Sequence, residues 1–318
     1  MRIPILPAAL GAAGLAACFH CYRVCFYSSP KARSNPYDPL EGPQYEVIQD
    51  TLFRVIGIME RYPFEDVSVT AHDGTLLRGR YYHFRDGAPL MILCHGYRSS
   101  ALRDCCGGHA LARKLGFNAL VIHQRAHGES GGRTITFGIR ERKDVHSWID
   151  YANRRFGVHT PIILSGLSMG AATVLMGCSP EYPENVACII ADSPYSSPGD
   201  IIRKVCRDAH YPAFLYPFVY AGGLIFGRFR LDACSAAEAV RHSNVPILLI
   251  HGEDDQLVPC EMSRKIAENS PAHCRICTIP GAAHGLAYMT DPQRYEEAVM
   301  GFLGDIPALS PFLGKDWE

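Results

Sequence analysis

A serine flanked by glycines, residues 166–170 (Gly-Leu-Ser-Met-Gly), constrains the fold of this chain more than any other stretch. An apolar run at residues 162–164 precedes it and predicts a buried strand, and an uncharged segment follows it as a predicted buried helix. A serine on such a sharp strand-to-helix turn is held in a strained conformation with its hydroxyl clear of the sheet. Glycines two residues before and two after remove side chains that would collide across the turn. Ser168 is therefore the candidate nucleophile.

Strands and helices alternate along most of the chain. Mainly apolar runs, each followed by a turn, lie at residues 90–94, 118–122, 162–164, 186–190, 245–250 and 275–279, and glycine occurs in every one of these turns except the one after 186–190. Because these mainly apolar runs do not alternate in polarity and are separated by predicted helices, they predict an α/β fold with a mostly parallel, doubly wound sheet. Residues 66–70 and 77–83 alternate in polarity and predict a hairpin before them. The site is expected at the carboxyl ends of the parallel strands.

This alternation is interrupted at about residues 195–244, which include an uncharged apolar run at residues 211–227. Two prolines and two adjacent glycines make that run a poor membrane span, so we predict a small helical cap inserted after the sixth strand and lying over Ser168. Several of its large apolar side chains are expected to line an acyl pocket: Phe214, Leu215, Tyr216, Phe218, Val219, Tyr220, Leu224, Ile225 and Phe226.

The N-terminal segment, residues 1–27, is predicted to be a hydrophobic anchor or a signal. Residues 3–22 contain no Asp, Glu, Lys or Arg, which is about the length that crosses a bilayer. A transmembrane anchor is the favoured interpretation, and a cleaved signal or an amphipathic or buried helix are the alternatives. Slightly more positive charge after the segment than before it favours a membrane-associated protein with a cytoplasmic catalytic domain. A secreted or lipid-anchored protein is the alternative, because residues 15–18 (Leu-Ala-Ala-Cys) resemble a lipobox.

Charge and cysteine content exclude several classes of function. Lys and Arg number 31 against 32 for Asp and Glu, so no net field attracts nucleic acid. The thirteen cysteines include two Cys-x-x-Cys pairs, at 18/21 and 274/277, but neither has a second pair at the distance that a zinc ribbon needs. A disulfide framework is not expected in a chain of 318 residues. We therefore expect free, buried thiols.

Four motifs occur in an order that resembles the α/β-hydrolase fold family. They are residues 95–96 (His-Gly), 166–170, 251–259 (His-Gly-Glu-Asp-Asp-Gln-Leu-Val-Pro) and 283–285 (Ala-His-Gly). The chain is most similar to bacterial serine hydrolases with a short N-terminal anchor and a small cap, a group of esterases and serine aminopeptidase-like proteins. The resemblance covers an α/β-hydrolase domain at about residues 64–305, which leaves a tail at residues 306–318. Four prolines in residues 28–43 and helical spacing of apolar residues in 45–61 predict a linker and leading helix at residues 28–63.

The resemblance also implies roles for individual residues. The family order of nucleophile, acid and base places them at Ser168, Asp255 and His284. By analogy, the backbone N–H groups of Met169 and Tyr97 form the oxyanion hole. Two other carboxylates are alternatives for the acid, namely Asp254 beside Asp255 and Asp192 at the end of the preceding strand.

The function favoured by these residues is hydrolysis of a carboxylic ester through an acyl-serine intermediate, with a small acyl ester as substrate and no cofactor or metal. An aminopeptidase-type amide hydrolase acting on a short peptide, a thioesterase and an acyltransferase are alternatives on the same fold. A membrane-attached binding protein is the alternative outside enzymes. The strained serine turn argues against it, because a binding protein has no use for such a turn.

Overall fold

The computed structural model describes residues 5–29, 35–39, 42–46, 48–270 and 272–313, and its strands form one sheet. The strands follow the order β1-β2-β4-β3-β5-β6-β7-β8 across the sheet. Only β2 pairs in antiparallel fashion, with β1 and with β4, and all other neighbours are parallel. The bounds are β1 Glu65–Thr70, β2 Leu76–Tyr82, β3 Leu90–Cys94, β4 Asn118–His123, β5 Ile162–Leu167, β6 Val186–Asp192, β7 Ile247–Gly252 and β8 Cys274–Ile279.

Helices connect the strands and cover both faces of the sheet. They are α1 Ile5–Cys25, α2 Pro43–Glu46, α3 Gln49–Glu60, α4 Ala101–Leu115, α5 Glu141–Phe156, α6 Met169–Met176, α7 Pro198–Asp208, α8 Tyr216–Ile225, α9 Ala236–Ala239, α10 Glu261–Asn269, α11 Ala287–Thr290 and α12 Pro292–Gly304. The predicted α/β-hydrolase fold, a mostly parallel doubly wound sheet with a helical insertion after the sixth strand, is confirmed. The predicted linker and tail lie partly outside the described residues.

Two separate cores pack against the two faces of the sheet. Alternation along β3 sends Leu90 and Ile92 to one core and Met91 and Leu93 to the other. The first layer holds buried residues from α5 to α10 together with the end of α1. The second layer is built from α3, α4, α11 and α12. The two layers therefore offer different surroundings to anything that binds at the strand ends.

The insertion at residues 195–244 is helical and belongs to the first layer, where α8 packs on α1. A Cβ added to Gly222 would lie 2.5 Å from the carbonyl oxygen of Cys18, so only glycine permits this close helix contact. The ring of Phe226 lies 5.1 Å from that of Phe19, centroid to centroid, in an edge-to-face arrangement. The face of α8 that carries Gly222, and Phe226 just after the helix, therefore pack against α1.

The N-terminal helix does not meet the expectation of a transmembrane anchor. Helix α1 covers most of residues 3–22, of which the first two lie outside the described residues. Within the described part of the chain, no helix is both long enough and apolar enough to span a bilayer. Alanine and glycine dilute the apolar character of α1, which explains the difference from the prediction. Its C-terminal end joins the fold, where Phe26 is fully buried.

Candidate active site

Ser168 lies between β5 and α6 in a conformation that few residues adopt, with φ 55° and ψ −114°. A Cβ at Gly166 would lie 2.4 Å from the carbonyl carbon of Gly170, and one at Gly170 would lie 2.1 Å from the carbonyl oxygen of Cys94. Neither position admits a side chain. The N–H of Ser168 donates to the carbonyl of Asp192 at 2.8 Å, which fixes the turn against β6. The predicted strand-turn-helix geometry is present.

His284, in the loop after β8, joins Ser168 to Asp255. Its Nε2 lies 2.9 Å from the Ser168 hydroxyl oxygen, and its Nδ1 lies 2.7 Å from Oδ2 of Asp255. Its side chain is 13% exposed, while the carboxylate of Asp255 is fully buried. Three residues far apart in the chain thus form one hydrogen-bonded series at the carboxyl ends of the strands.

Several donors surround the Asp255 carboxylate. Its Oδ1 accepts hydrogen bonds from the N–H groups of Leu257 at 2.9 Å and Val258 at 2.8 Å. Burial alone would raise its pKa, but the interactions with His251 and His284, together with the Val258 amide, lower the pKa to about 2. Asp255 is therefore a carboxylate at neutral pH and can stabilise a positive charge on the imidazole of His284.

The two alternative acids lie elsewhere. Asp254 is exposed to solvent. Asp192 is buried at the end of β6, where the Ser193 hydroxyl donates to its Oδ1 at 2.9 Å and Tyr295 lies beside it. Burial raises the pKa of Asp192 to about 6. Of the three candidates, Asp255 is the one hydrogen-bonded to His284.

The loop after β3 carries the first predicted oxyanion amide. The N–H of Gly96 donates to Oδ2 of Asp104 at 2.7 Å, and the Ser99 hydroxyl donates to Oδ1 of the same carboxylate at 2.5 Å. Because Asp104 occupies the Gly96 amide, the next amide along, that of Tyr97, is the candidate donor on this loop. Met169, the second candidate, begins α6, where the first amides have no acceptor within the helix.

Three further histidines near the strand ends have structural partners. His95 is fully buried, with Nδ1 2.8 Å from the Gly96 carbonyl and Nε2 accepting from the N–H of Gln124 at 3.0 Å. His127 Nε2 accepts from the N–H of Arg98 at 3.0 Å. His251 is bound by Val258 and Ser263, and its Nε2 also lies 3.3 Å from Asp255. The first two shape loops, and the third contacts the predicted acid.

A cavity of about 340 Å³ opens at Ser168 and extends into the second layer. Its lining combines α2 and α3, the first turns of α4, the ends of β3, β5 and β6, and the segment from His284 to α12. No described residue of 195–244 lines it, so the expectation that the apolar run of 211–227 forms the pocket at Ser168 is wrong. The run packs instead on α1 in the first layer, and Phe214, Leu224 and Ile225 are exposed.

Three residues at the site were not predicted from sequence. The Tyr45 hydroxyl donates to the His284 carbonyl at 3.2 Å, Asp104 holds the loop after β3, and His251 approaches Asp255. Tyr45 and Asp104 belong to no recognisable sequence motif, so their roles could not be predicted. Each acts through a contact that forms only when the chain has folded. His251 did have a signal, since it begins the motif that contains Asp255.

This fold, with the serine turn at the end of the fifth strand, defines the α/β hydrolases, and the protein is a hydrolase of that class. A family model described as "Serine aminopeptidase, S33" matches residues 87–211 and 226–292. The chain belongs to this family.

Relatives and solved structures extend over most of the chain. The YqkD protein of Bacillus subtilis is 24% identical over 251 residues, which cover 78% of this chain and 81% of YqkD. The YfhR protein of Escherichia coli K12 is 24% identical over 298 residues, covering 90% of this chain and 92% of YfhR. The solved structure of the Pyrococcus furiosus esterase Pf2001 is 25% identical, with a TM-score of 0.61, and covers 77% of this chain and 93% of that protein.

Proposed function

We propose that this protein is a serine esterase that hydrolyses a carboxylic ester in two steps through an acyl-serine intermediate. The observation that carries the proposal is the hydrogen-bonded series from Ser168 through His284 to Asp255, with the serine on a glycine-flanked turn. The similarity to a protein named as an esterase, Pf2001, supports the same class of reaction.

In the first step, Ser168 Oγ attacks the ester carbonyl carbon while His284 Nε2 takes the hydroxyl proton. The 2.9 Å separation of these two atoms suits that transfer. Collapse of the tetrahedral intermediate breaks the bond to the alcohol oxygen, which leaves with the proton from Nε2. Water then repeats the sequence on the acyl-serine, and its proton passes through His284 to the Ser168 oxygen as the acid is released.

Charge develops at two places during these steps. The Asp255 carboxylate, ionised because its pKa is about 2, stabilises the imidazolium and holds Nδ1 protonated toward itself. The carbonyl oxygen becomes an oxyanion, and the amides of Tyr97 and Met169 are the proposed donors to it. The N-terminal end of α6 adds favourable dipole potential at that position.

Fluorophosphonate labelling with an ester panel tests the proposal. A fluorophosphonate should label the wild type and the Ser68→Ala control, whose serine is exposed on β1, but not Ser168→Ala. p-Nitrophenyl esters should be turned over by the same two labelled proteins. Equal labelling of Ser168→Ala would remove the nucleophile assignment, and an unlabelled, inactive wild type would favour a binding protein.

Amide and thioester hydrolysis are tested with the same variants. Aminoacyl p-nitroanilides, thioesters and acceptor alcohols are offered alongside the p-nitrophenyl esters. Faster turnover of the anilides than of the esters would replace the esterase proposal with the amidase that the family description suggests.

We also propose that α1 attaches the protein to a membrane surface without crossing it. Helix α1 exposes the large apolar side chains of Leu15, Phe19 and Val24. Helix α8, which packs against α1, exposes those of Leu224 and Ile225. Arg23 in the last turn of α1 suits anionic lipid headgroups. Sedimentation with vesicles of anionic lipid tests this, and Leu15→Glu with Phe19→Glu should release the protein from them.

A further inference from the structure

We propose that the cavity in the second layer holds the acyl chain of the substrate, and that α2 and α3, rather than the insertion at residues 195–244, cover it. This inference rests on the esterase function proposed above. It assigns the substrate class as esters of acids with an apolar chain longer than acetate. It also assigns selection of chain length to the second layer.

The lining of the cavity beyond Ser168 is mostly apolar. Leu93 of β3 and Ile190 of β6 form part of it from the sheet, and both side chains belong to the second core. Leu111 and the cysteines at 105 and 106 contribute from α4, and Leu52 contributes from α3. Burial of each methylene in such a lining is favourable, so a chain that fills it binds more tightly than acetate.

The two carboxylates in the lining, Asp104 and Asp192, are held by partners within the protein. Asp104 accepts from the Gly96 amide and the Ser99 hydroxyl, and Asp192 accepts from the Ser193 hydroxyl. They do not require a polar group from the substrate. A hydrocarbon chain can therefore enter without leaving either carboxylate unsatisfied.

The order of chemical steps favours the acyl chain over the alcohol in this cavity. The alcohol must leave, and water must reach His284, before the acyl-serine is hydrolysed. A chain inserted among Leu93, Leu111 and Ile190, which are buried, would delay that departure. The acyl chain, in contrast, stays bonded to Ser168 throughout and gains from a buried position.

Helices α2 and α3 form one wall of the cavity. The residues that line the cavity from this side are Tyr45 of α2, Leu52 of α3 and Ile48 between the two helices. The Tyr45 hydroxyl also donates to the carbonyl of His284 at 3.2 Å. One face of α3, formed by Leu52, Ile56 and Met59, is buried in the second core. The cover is thus attached both to α4 and to the loop that carries the predicted base.

Gly107 of α4 provides a position for altering the cavity without disturbing the fold. It lines the cavity, and a Cβ added there would meet no atom within 4 Å. Its neighbour Gly108 differs, because a Cβ there would lie 2.7 Å from Leu93. A larger side chain at position 107 therefore shortens the cavity, and leucine also favours the helix over glycine.

The experiment measures kcat/KM for p-nitrophenyl esters from acetate to decanoate. Gly107→Leu should lower the ratio of octanoate to acetate turnover roughly tenfold, about the effect of excluding two methylenes. Gly301→Leu, in which an exposed glycine of α12 with equally open surroundings is replaced, is the matched control and should keep the wild-type ratio. Leu111→Ala should move the optimum toward longer chains.

The outcomes separate this inference from the esterase proposal. If the wild type is labelled by a fluorophosphonate and hydrolyses esters, but Gly107→Leu keeps its chain-length profile or loses acetate turnover equally, the acyl-chain assignment is wrong. The same holds if Phe218→Ala or Phe226→Ala in the insertion changes the profile and Leu111→Ala does not. A series of acetate esters with lengthening alcohols that responds to Gly107→Leu would place the alcohol in the cavity instead.

Discussion

His251 Nε2 lies 3.3 Å from Oδ2 of Asp255, the same carboxylate oxygen that accepts the hydrogen bond from His284. His251 is fully buried and is fixed by the Val258 carbonyl at 2.7 Å and the Ser263 hydroxyl at 2.6 Å. The carboxylate therefore has a histidine neighbour on the buried strand β7 as well as one on the loop that carries the predicted base. This makes His251 a positioning residue for Asp255.

His251→Ala should slow fluorophosphonate labelling of Ser168 by up to about 10²-fold, because Asp255 loses one of the contacts that hold it toward His284 and a small misplacement of a reacting group is costly. It should also raise the pKa of Asp255, since His251 is one of the groups that lower it. A carboxylate whose pKa is lower in the folded than in the unfolded protein stabilises the fold at any pH above its unfolded-state pKa. That stabilisation is lost as the pH falls through its folded-state pKa. The variant should therefore lose stability at neutral pH, and the loss should shrink toward pH 2.

The control for that variant is His146→Ala, since the His146 ring hydrogen-bonds the Gly177 carbonyl at 2.8 Å away from the site. It should lose stability without a change in labelling rate. Equal slowing of labelling in both variants would mean that His251 acts only on the fold.

Asp255→Asn should lower ester turnover by about 10⁴, the size seen when the acid of a serine triad is neutralised. The amide cannot favour the imidazolium, and its N–H₂ group would face Nδ1 of His284. Asp254→Asn should have little effect, because Asp254 is exposed. If Asp192→Asn is the severe change and Asp255→Asn the mild one, the assignment of the acid is wrong.

Gly170→Ala should destabilise the protein by about 1–3 kcal/mol or more, because the new methyl group would lie 2.1 Å from the carbonyl oxygen of Cys94. Relief requires β3 and α6 to separate, which would displace Ser168 from His284. Gly301→Ala is the control, since a methyl group there meets no atom within 4 Å. Thermal unfolding and labelling rate are the two measurements, and equal stability of both variants would contradict the close approach.

Asp192 should make the protein less stable as pH rises from about 4 to about 7. Burial raises its pKa to about 6, so the folded state binds the proton more tightly than the unfolded state does. Ionisation above pH 6 then costs up to about 3 kcal/mol, from roughly two pKa units at 1.36 kcal/mol each. Asp192→Asn should increase the free energy of unfolding by about that amount at pH 7.5 and have little effect on it at pH 4. Parallel pH curves for the two proteins would contradict the buried-acid account.

The sheet and the glycine-flanked turn of Ser168 could be predicted from the sequence because each depends on local pattern. Asp255 and His284 were predicted only through the resemblance to the family, and the structure places both in a hydrogen-bonded series with Ser168. Apolar runs and glycine turns mark the strand ends, and parallel strands bring those ends together. The cavity could not be predicted in the same way. Its lining comes from α3, α4 and the segment that follows His284, and which layer remains open is decided by packing between these distant segments.

The apolar run at residues 211–227 illustrates the limit of such reasoning. Its composition indicated a large apolar surface, and α8 does present one. Sequence pattern does not reveal the partner, which is α1, because the contact depends on the close approach at Gly222. An apolar helix near an active site therefore carries little information about the substrate until its packing is known.

The predicted oxyanion loop is tied to the end of α1, and the last prediction concerns this contact. The Tyr97 hydroxyl donates to the carbonyl of Cys25 at 2.8 Å. Tyr97→Phe keeps the ring and the backbone amide but leaves the carbonyl without this donor, which should cost about 1 kcal/mol of stability. We also expect kcat to fall severalfold with little change in KM, because the amide of Tyr97 is proposed to act on the oxyanion and not on the bound ester.

Tyr182→Phe is the matched control, since its buried hydroxyl donates to the Val174 carbonyl at the same distance, 2.8 Å, away from the site. Thermal unfolding should shift similarly in both variants while kcat falls only in Tyr97→Phe, and unchanged kcat in both would show that the α1 contact does not position the loop.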